Sequence, residues 1–427
     1  MYILYSLLLV VALLVSLPWW LLRLGKYRTG IAERFGRVPD RVSEVAKPGC
    51  IWIHAVSVGE VLAVTRLIRE LEKASPERPV FISSTTATGQ RLARERFGDS
   101  RVFYAPLDLG LAVRPYLNLL RPAMLILAET EFWPNLLRLA RKRGAAVAIV
   151  NARISDRSFP RYRRFRWFFS RVLSEIDLFL AQTELDAQRL REIGAPTERV
   201  RVSGNLKFDI QASSNSPLVK DLGRSIAENA PVIVCGSTAD GEDDLLLHAF
   251  HQVLLEHPSA VLVLAPRHPE RFDAVTDLIR SLGLTAVRRS SWSADAPSLA
   301  GCVFLLDSVG ELAAVYALAS LAFVGGSLVP GIGGHNILEP AQYGVPVLTG
   351  PHTFNFRQIV NIFEKGGGLT TVTPTNLARE WLRLLDDPEQ CRSLGAAARE
   401  LFIKNSGATA RTLQALQPLM RRPVHTP

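Results

Sequence analysis

From Cys50 onward, short apolar runs rich in β-branched and aromatic residues alternate with amphipathic stretches of helical periodicity. Strands buried on both faces read as near-continuous apolar runs, and strands that alternate with helices form parallel sheets covered on both sides. The first series of runs is CIWIHAVS, PVFISST, RVFYAPL, AMLILAET, AAVAIVNAR and LFLAQT. The second series is PVIVCGST, AVLVLAPRHP, CVFLLD, LAFVGGS and VPVLTGP. The pattern predicts an α/β protein with two doubly wound, Rossmann-like domains that face a cleft.

The alternation pauses at FDIQASSNSPLVKDLGRS, a polar stretch that we interpret as the linker between the domains. A chain of 427 residues is too long for one ordinary core. We expect an N-terminal domain at 23–212 and a C-terminal domain at 213–400. The final segment, 401–427, is helical in pattern and can cross back to the first domain.

The N-terminus is an apolar run, 1–22, with no charged side chain before a basic flank at 23–28. A cleaved signal peptide would place its basic residues first, so the order argues against one. About twenty apolar residues can span a bilayer, and Trp19 and Trp20 suit the headgroup layer. We predict a single-pass membrane anchor helix, with the body of the protein in the cytoplasm. Because Pro18 shortens the span, a buried helix or one lying in the membrane interface is the alternative.

The formal charge of +10 favours polyanionic partners such as phospholipid, lipid phosphate or nucleic acid. In FPRYRRFRWFFSRV, Phe159 to Val172, arginines interleave with aromatic residues. This pattern is typical of an interfacial helix on anionic headgroups, although single-stranded nucleic acid or an ordinary half-buried helix would also suit it. Together with the N-terminal run it favours lipid, and we expect no nucleic-acid partner.

The four cysteines lie far apart and lack the spacing of metal ligands. Three of them lie in or beside apolar strand-like runs. We interpret them as buried thiols in a reducing compartment. They are Cys50, Cys235, Cys302 and Cys391.

In parallel sheets, ligands bind at the carboxyl ends of the strands. HAVSVGE places Glu60 there, at the start of a helix, where an ionised carboxylate can accept a proton from a hydroxyl. The alternative is that Glu60 only stabilises the first helical turn. Glu129 and Glu131 follow another strand, and Lys207 in SGNLKFD suits the charge that develops on a leaving phosphate or a carboxylate substrate. A solvated surface lysine is the alternative for Lys207.

Strand ends in the second domain contain groups suited to a nucleotide. Arg267 and His268 lie between two prolines in APRHPER, and a rigidly presented guanidinium suits a phosphate. Gly310 and Glu311 lie at a helix start in DSVGEL. Neither a metal-ligand cluster nor a P-loop motif occurs in a suitable context.

The stretch GGHNILEPAQYGVPVLTGP uses glycines where they would weaken regular structure. We expect Gly333 and Gly334 to let the backbone approach a ligand, with the N-terminus of the NILEPA helix facing an anion. Glu339, one turn into that helix, can accept hydrogen bonds from ribose hydroxyls or a base. A capped helix start is the alternative role for His335 and Asn336, and is compatible with ligand binding.

Many of these motifs together resemble the bacterial 3-deoxy-D-manno-octulosonic acid (Kdo) transferases that act on lipid A. The resemblance extends from the N-terminal run almost to the C-terminus. It includes HAVSVGE, AETEFWPN, NARIS, GNLKFD, APRHPERF, DSVGEL, FVGGSLV and GGHNILEPAQYGVPVLTGPHTFNF.

The resemblance implies a GT-B glycosyltransferase that moves Kdo from CMP-Kdo to the lipid A precursor, with inversion and without a metal or other cofactor. It also implies that the enzyme works at the cytoplasmic face of the bacterial inner membrane. It implies that Glu60 is the general base, and that Glu129 and Lys207 stabilise the transition state. The segments that match the family's CMP-binding residues are Arg267, His268, Gly310, Glu311, Leu312, Asn336, Ile337, Leu338 and Glu339.

Two other functions fit the same architecture. One is a transferase that uses a nucleoside-diphosphate sugar and another lipid-linked acceptor. The other is a membrane-bound scaffold that binds nucleotide or acidic lipid without catalysis. The scaffold would tolerate removal of the strand-end carboxylates.

Overall fold

The computed structural model describes residues 1–22, 30–209, 216–293 and 298–421, with side chains described outside 17–22. Contacts within the chain divide it into two compact units. The first is Met1–Asp209 with Ser406–Pro427, and the second is Ile210–Asn405. The second unit continues past residue 400 because one helix runs unbroken from Pro388 to Asn405.

The first unit has a seven-stranded parallel sheet in the order β3-β2-β1-β4-β5-β6-β7. Its strands are β1 (Ile51–His54), β2 (Val80–Ser84), β3 (Val102–Tyr104), β4 (Met124–Ala128), β5 (Ala146–Ala152), β6 (Leu178–Ala181) and β7 (Val200–Val202). Its helices are α1 (Tyr2–Leu22), α2 (Ile31–Arg34), α3 (Asp40–Ser43), α4 (Val58–Ala74), α5 (Ala87–Phe97), α6 (Gly110–Leu120), α7 (Pro134–Lys142), α8 (Phe159–Arg164), α9 (Arg166–Leu173) and α10 (Glu184–Glu192).

The second unit repeats this design, with strands in the order β10-β11-β9-β8-β12-β13-β14, all parallel. Its strands are β8 (Val232–Thr238), β9 (Val261–Pro266), β10 (Thr285–Arg288), β11 (Cys302–Leu305), β12 (Leu321–Val324), β13 (Val347–Thr349) and β14 (Leu369–Thr371). Its helices are α11 (Pro217–Ser225), α12 (Asp243–Glu256), α13 (Phe272–Ser281), α14 (Leu312–Val315), α15 (Leu338–Ala341), α16 (Arg357–Lys365), α17 (Leu377–Asp386) and α18 (Pro388–Asn405).

The expectation of an α/β fold with two parallel sheets is confirmed. Every strand that the apolar runs predict is present, and in each unit the two faces of the sheet are covered by separate apolar clusters. Three strands that the pattern missed, β7, β10 and β14, are all at sheet edges. An edge strand is half exposed and short, so it lacks the long apolar run of a central strand. Of the four cysteines, Cys391 is half-buried and the other three are buried.

Part of the predicted linker is folded. The residues from Pro217 to Ser225 form α11, whose Leu218 and Leu222 are buried in the second unit. The polar part of that stretch, 210–215, lies outside the described residues. This short amphipathic helix was not predicted, because its stretch of sequence is mostly polar and contributes two side chains, Leu218 and Leu222, to the core.

The last helix of the chain, α19 (Ala408–Met420), packs on the first unit with Leu416 fully buried. Its first turn is held by Asp209, whose carboxylate accepts hydrogen bonds from the backbone of Gly407 and Thr409. A carboxylate at a helix start satisfies amides that have no partner within the helix.

The N-terminal helix α1 contacts the first unit through polar groups near its start. The Tyr2 hydroxyl donates to Glu175 at 3.1 Å, and Asn135 Nδ2 donates to Ser6 Oγ at 3.0 Å. Much of its apolar surface is uncovered, with Ile3 78% exposed. Within the described residues, no helix has both the length and the hydropathy needed to cross a membrane. The single-pass anchor is thus unsupported, and its basic flank at 23–28 lies outside the described residues.

The aromatic and basic stretch from Phe159 to Val172 forms two helices, α8 and α9, instead of one. The break falls at Phe165, which has φ −102° and ψ 30°. Tyr162 and Phe169 pack edge to face at 4.7 Å, whereas Trp167 is 60% exposed among exposed arginines. Contact of this surface with lipid stays a prediction.

Candidate active site

Glu60 lies in the first turn of α4, directly after β1. Its Oε2 accepts a hydrogen bond from the Val56 amide at 2.8 Å, and its Oε1 accepts one from the Ser57 hydroxyl at 2.9 Å. These bonds fix the carboxylate and satisfy amide and hydroxyl donors at the helix start, so Glu60 has a structural role there. Only 8% of the residue is exposed.

The same environment makes Glu60 an unusual acid. Burial raises its pKa to about 7, and the nearby Glu129 carboxylate adds to the rise, while the Val56 and Ser57 hydrogen bonds and Lys207 oppose it. A catalytic base is most effective when its pKa lies near the working pH. Glu60 therefore combines a fixed position with a pKa suited to accepting a proton.

Glu129 directly follows β4 and adopts a left-handed backbone conformation, with φ 56°. Residues other than glycine seldom adopt this conformation, and it recurs at functional sites where neighbouring structure enforces it. Here it brings Glu129 Oε1 to 3.3 Å from Lys207 Nζ. Both side chains are about a quarter exposed, so the pair remains accessible from solvent.

Lys207 is positioned by a short 3₁₀ turn, Leu206–Phe208. The amide of Leu206 donates to Asn151 Oδ1 at 3.0 Å, and the amide of Lys207 donates to Asn205 Oδ1 at 3.0 Å. Asn151 is fully buried in a left-handed conformation in β5, and its carbonyl accepts Gln182 Nε2. The NARIS and GNLKFD motifs are thus joined by a hydrogen bond that orients Lys207.

Glu131 belongs to the same cluster, although the sequence pattern did not single it out as a catalytic candidate. Burial raises its pKa to about 8, and the Glu60 and Glu129 carboxylates raise it further, opposed by a hydrogen bond from Trp133. Nearby negative charges disfavour the ionised form of a carboxyl group, so the Glu60 and Glu129 carboxylates add to the effect of burial on Glu131. The available clue in the sequence was a pair of glutamates, Glu129 and Glu131, separated by one residue directly after a buried strand.

In the second unit, Arg267 and His268 follow β9 and are exposed. The pKa of His335 is lowered to about 4, mainly by burial and further by the positive charges of Arg267 and His268. Arg267 also acts on Glu339, whose pKa is raised by burial and lowered by Asn336 and Arg267. The structure therefore gathers Arg267, His268, His335 and Glu339 in one polar cluster.

The NILEPA stretch differs from the expected helix. Only Leu338–Ala341 is helical, a single turn, which is too short for an anion site at its N-terminus. Asn336 Oδ1 accepts the Leu338 amide at 3.2 Å, and its Nδ2 donates to Glu339 at 3.4 Å. Asn336 therefore caps the turn, while the side chains of Ile337 and Leu338 are buried in the fold.

The two glycines before this turn have local packing reasons. Gly333 has φ 93°, and a Cβ there would lie 2.6 Å from the Phe354 ring. Gly334 has φ 78°, and its amide donates to the Gly326 carbonyl at 2.7 Å. Left-handed conformations and close backbone packing both favour glycine, which has no Cβ. The glycines thus shape the loop even without a ligand.

The DSVGEL residues have different neighbours. Glu311 forms an ion pair with Arg289, with both nitrogen–oxygen distances at 3.2 Å. Leu312 begins α14 and packs against the apolar cluster on one face of the second sheet. Gly310 has φ 94°, and no atom lies within 4 Å of a Cβ built there. Among the described residues, these contacts do not join this segment to Arg267.

A carboxylate that sequence reasoning missed organises the glycine-rich loop after β12. Glu242 is fully buried, and its two oxygens accept four backbone amides at 2.6 to 2.8 Å. The donors are Ala239, Gly326, Ser327 and Leu328. A glutamate shortly after a buried strand was the only clue, because three of its four partners lie more than eighty residues away.

The described residues contain no group of three or more His, Cys, Asp or Glu side chains arranged to hold a metal ion. The chemistry available from them is proton transfer at the Glu60 cluster and anion binding at Arg267. These are the two functions that transfer of a glycosyl group from a phosphate donor requires.

Comparison with known proteins identifies the family. Residues 29–210 match a family described as 3-deoxy-D-manno-octulosonic-acid transferase (kdotransferase). The 3-deoxy-D-manno-octulosonic acid transferase of Haemophilus influenzae is 37% identical over 403 residues, 93% of each chain. That of Bordetella pertussis is 35% identical over 406 residues, 92% of each chain.

Two solved structures share the fold. A UDP-GlcNAc 2-epimerase from Neisseria meningitidis, bound to UDP-GlcNAc, superimposes with TM-score 0.55 at 14% identity, covering 86% of this chain and 99% of that one. A glycosyltransferase from Rickettsia africae gives 0.53 at 13% identity, covering 88% and 100%. These likenesses concern the GT-B-like fold alone. The sequence similarity shows that the chain belongs to the 3-deoxy-D-manno-octulosonic acid transferases and is a glycosyltransferase.

Proposed function

We propose that the protein transfers Kdo from CMP-Kdo to a lipid A precursor, lipid IVA, in lipopolysaccharide core biosynthesis. The transfer inverts the anomeric configuration and uses no metal. The observation that most supports this proposal is the Glu60 carboxylate, fixed by Val56 and Ser57 with a pKa near neutrality. The names of the relatives support Kdo as the sugar, and the polar cluster at Arg267 supports a nucleotide-binding role for the second unit.

In the proposed reaction, Glu60 accepts the proton of the acceptor hydroxyl as its oxygen attacks the anomeric carbon of Kdo. The new carbon–oxygen bond forms on one face while the bond to the CMP phosphate breaks on the other. The electron pair of that bond leaves with the phosphate. A single displacement of this kind inverts the anomeric centre.

The other charged groups have separate roles in the proposal. Lys207, held 3.3 Å from Glu129, stabilises negative charge as it develops, and Glu129 keeps the lysine in place. Arg267 and His268 bind the CMP phosphate, with Asn336 and Glu339 nearby for the ribose or base. Gly310, Glu311 and Leu312, together with the backbone of Ile337 and Leu338, complete the donor-binding segments.

We also propose that the protein works at the cytoplasmic face of the bacterial inner membrane. The apolar side chains exposed on α1 support attachment, as do Phe165, which is 46% exposed, and Trp167 beside the exposed arginines of α8 and α9. Insertion of such groups, with basic residues against anionic headgroups, is how interfacial helices bind membranes.

Incubating purified protein with CMP-Kdo and a tetraacylated lipid A precursor, followed by mass spectrometry, tests the reaction. A Kdo-bearing lipid is expected. A transferase for nucleoside-diphosphate sugars is the competing function, and inhibition by CMP compared with UDP separates the two. Stronger inhibition by UDP would favour the competitor.

A further inference from the structure

A cavity of about 50 Å³ lies at the carboxyl ends of β1 and β2 in the first unit. Its walls include Arg34, His54, Thr85, Asp108 and Trp133. It adjoins the Glu60 site through Val56, whose amide donates to Glu60 and whose carbonyl accepts the Thr85 amide. Such a volume holds more than one water molecule, and polar side chains interrupt a lining that is otherwise largely apolar.

The Nε2 atom of His54 has no hydrogen-bond partner among the described residues. The Trp52 indole donates to Ser83 Oγ at 2.7 Å, and Ser83 Oγ lies 2.9 Å from His54 Nδ1. Since the indole can only donate, Ser83 Oγ accepts from it and keeps its own proton available for Nδ1. Burial lowers the pKa of His54 to about 4, opposed by a hydrogen bond to the Ser83 backbone, so the ring is neutral. In the tautomer whose Nδ1 accepts from Ser83, the ring hydrogen is on Nε2.

The Thr85 hydroxyl and the Arg34 guanidinium, which also line the cavity, can bind a ligand as well. His54 is 1% exposed, and neither its Nε2 nor Thr85 Oγ1 has a hydrogen-bond partner among the described residues. Arg34 donates to the Thr85 carbonyl and stacks over Tyr104, 4.6 Å from the ring centroid. Burial lowers its pKa, and no carboxylate within the described residues forms an ion pair with it.

One carboxylate, Asp108, also lines the cavity, but its oxygens are occupied. They accept the amides of Asn135 and Leu136 at 3.0 and 2.7 Å, at the start of α7, and the Tyr5 hydroxyl. A helix N-terminus offsets the charge of a carboxylate bound there. The groups left to meet a ligand are therefore the remaining N–H groups of the Arg34 guanidinium, the Thr85 hydroxyl and, in the tautomer that accepts from Ser83, the His54 Nε2–H group.

We propose that this cavity binds an oxyanion of the acceptor, a phosphate or a carboxylate, beside the hydroxyl that Glu60 deprotonates. This inference rests on the proposed function, because it needs an acceptor at Glu60. An oxyanion accepts several hydrogen bonds at once and pairs with an arginine, so it satisfies all three donors. Arg34, His54 and Thr85 thus determine acceptor specificity and are distinct from the catalytic groups.

The test compares acceptors that differ only in their anionic groups. We would measure KM and kcat for Arg34→Gln and Thr85→Val with the lipid A precursor, its dephosphorylated form, and the dephosphorylated form carrying one Kdo. For Arg34→Gln we expect KM for the precursor to rise about ten- to a hundredfold, as loss of a charge-assisted hydrogen bond predicts, with a smaller rise for Thr85→Val and little change in kcat. Arg91→Gln and Thr88→Val, at exposed positions of α5, are matched controls.

Comparing the rise in KM among the three acceptors identifies the anion that the cavity binds. If the rise in KM disappears with the dephosphorylated precursor, the ligand is its phosphate. If it reappears when that acceptor carries Kdo, the cavity also takes a carboxylate. An equal rise with all three acceptors, or none with any, would overturn the inference, whereas absence of transfer by the wild type would instead overturn the proposed function.

Discussion

The pH dependence of transfer offers a sharp test of the Glu60 cluster. Because the pKa of Glu60 is raised from 4.5 to about 7, the carboxylate is about half ionised at pH 7 and about one-tenth ionised at pH 6. Only the ionised form accepts a proton, so kcat/KM should fall about tenfold from pH 8 to pH 6. A glutamate with the ordinary pKa of 4.5 would lose less than about a tenth of its activity over that range.

Two substitutions should move this acid limb in opposite directions. The positive charge of Lys207 lowers the pKa of Glu60, so Lys207→Met should shift the limb to higher pH. The negative charge of Glu129 raises it, so Glu129→Gln should shift the limb to lower pH. Both variants will also lose activity, so each profile is normalised to its own plateau.

The assay is kcat/KM for Kdo transfer from pH 5 to pH 9, at constant ionic strength. Glu184→Gln, at the exposed start of α10, serves as a charge-matched control and should leave the limb in place. A flat profile from pH 6 to pH 8 would refute the assignment of a raised pKa to the base. Shifts of both variants in the same direction would refute the electrostatic coupling.

Four further outcomes follow from particular contacts. Arg267→Ala should weaken CMP binding about ten- to a hundredfold by calorimetry, and unchanged affinity would count against a phosphate contact there. Glu242→Ala should destabilise the second unit by about 3 kcal/mol or more in urea unfolding, since four buried amides lose their acceptor, and a loss below about 1 kcal/mol would contradict this reading. Replacing Arg163, Arg164 and Arg166 with Gln should reduce co-sedimentation with anionic vesicles in low salt, at about 1 kcal/mol for each basic group, and an effect equal in high salt would exclude surface electrostatics. Because the folded-state pKa of Glu60 exceeds its unfolded value, its ionisation costs stability as pH rises from about 4.5 to 7, so the Tm of Glu60→Gln relative to wild type should increase over that interval, and a constant difference would oppose the shift.

The central strands were predictable because burial on both faces leaves long apolar runs such as AMLILAET. The edge strand β10, TAVR, is exposed or half-buried along its length, so no such run marks it. Turn geometry was harder to predict. The left-handed conformation of Glu129 and the single-turn helix at Leu338 depend on tertiary contacts, which exist only in the folded chain.

In the candidate site too, the residues that could be predicted are those whose position follows from nearby sequence, and the others depend on distant contacts. Strand ends identified Glu60 and Glu129, since their position follows from the topology of a parallel sheet. Glu242 was not identifiable, because three of its four partners lie after another strand. The cavity at His54 needed the structure as well, since only the hydrogen bond from Ser83 shows which imidazole nitrogen remains free.

The most direct test of the account is transfer by Glu60→Gln compared with wild type, using CMP-Kdo and the tetraacylated lipid A precursor, with CMP binding measured on the same preparations. The amide keeps the shape of the side chain and can still accept the Val56 amide, but it cannot accept a proton from the acceptor. We predict that Kdo transfer falls by a factor of about a hundred to ten thousand while CMP affinity is unchanged. Turnover near the wild-type rate would contradict the assignment of Glu60 as the base.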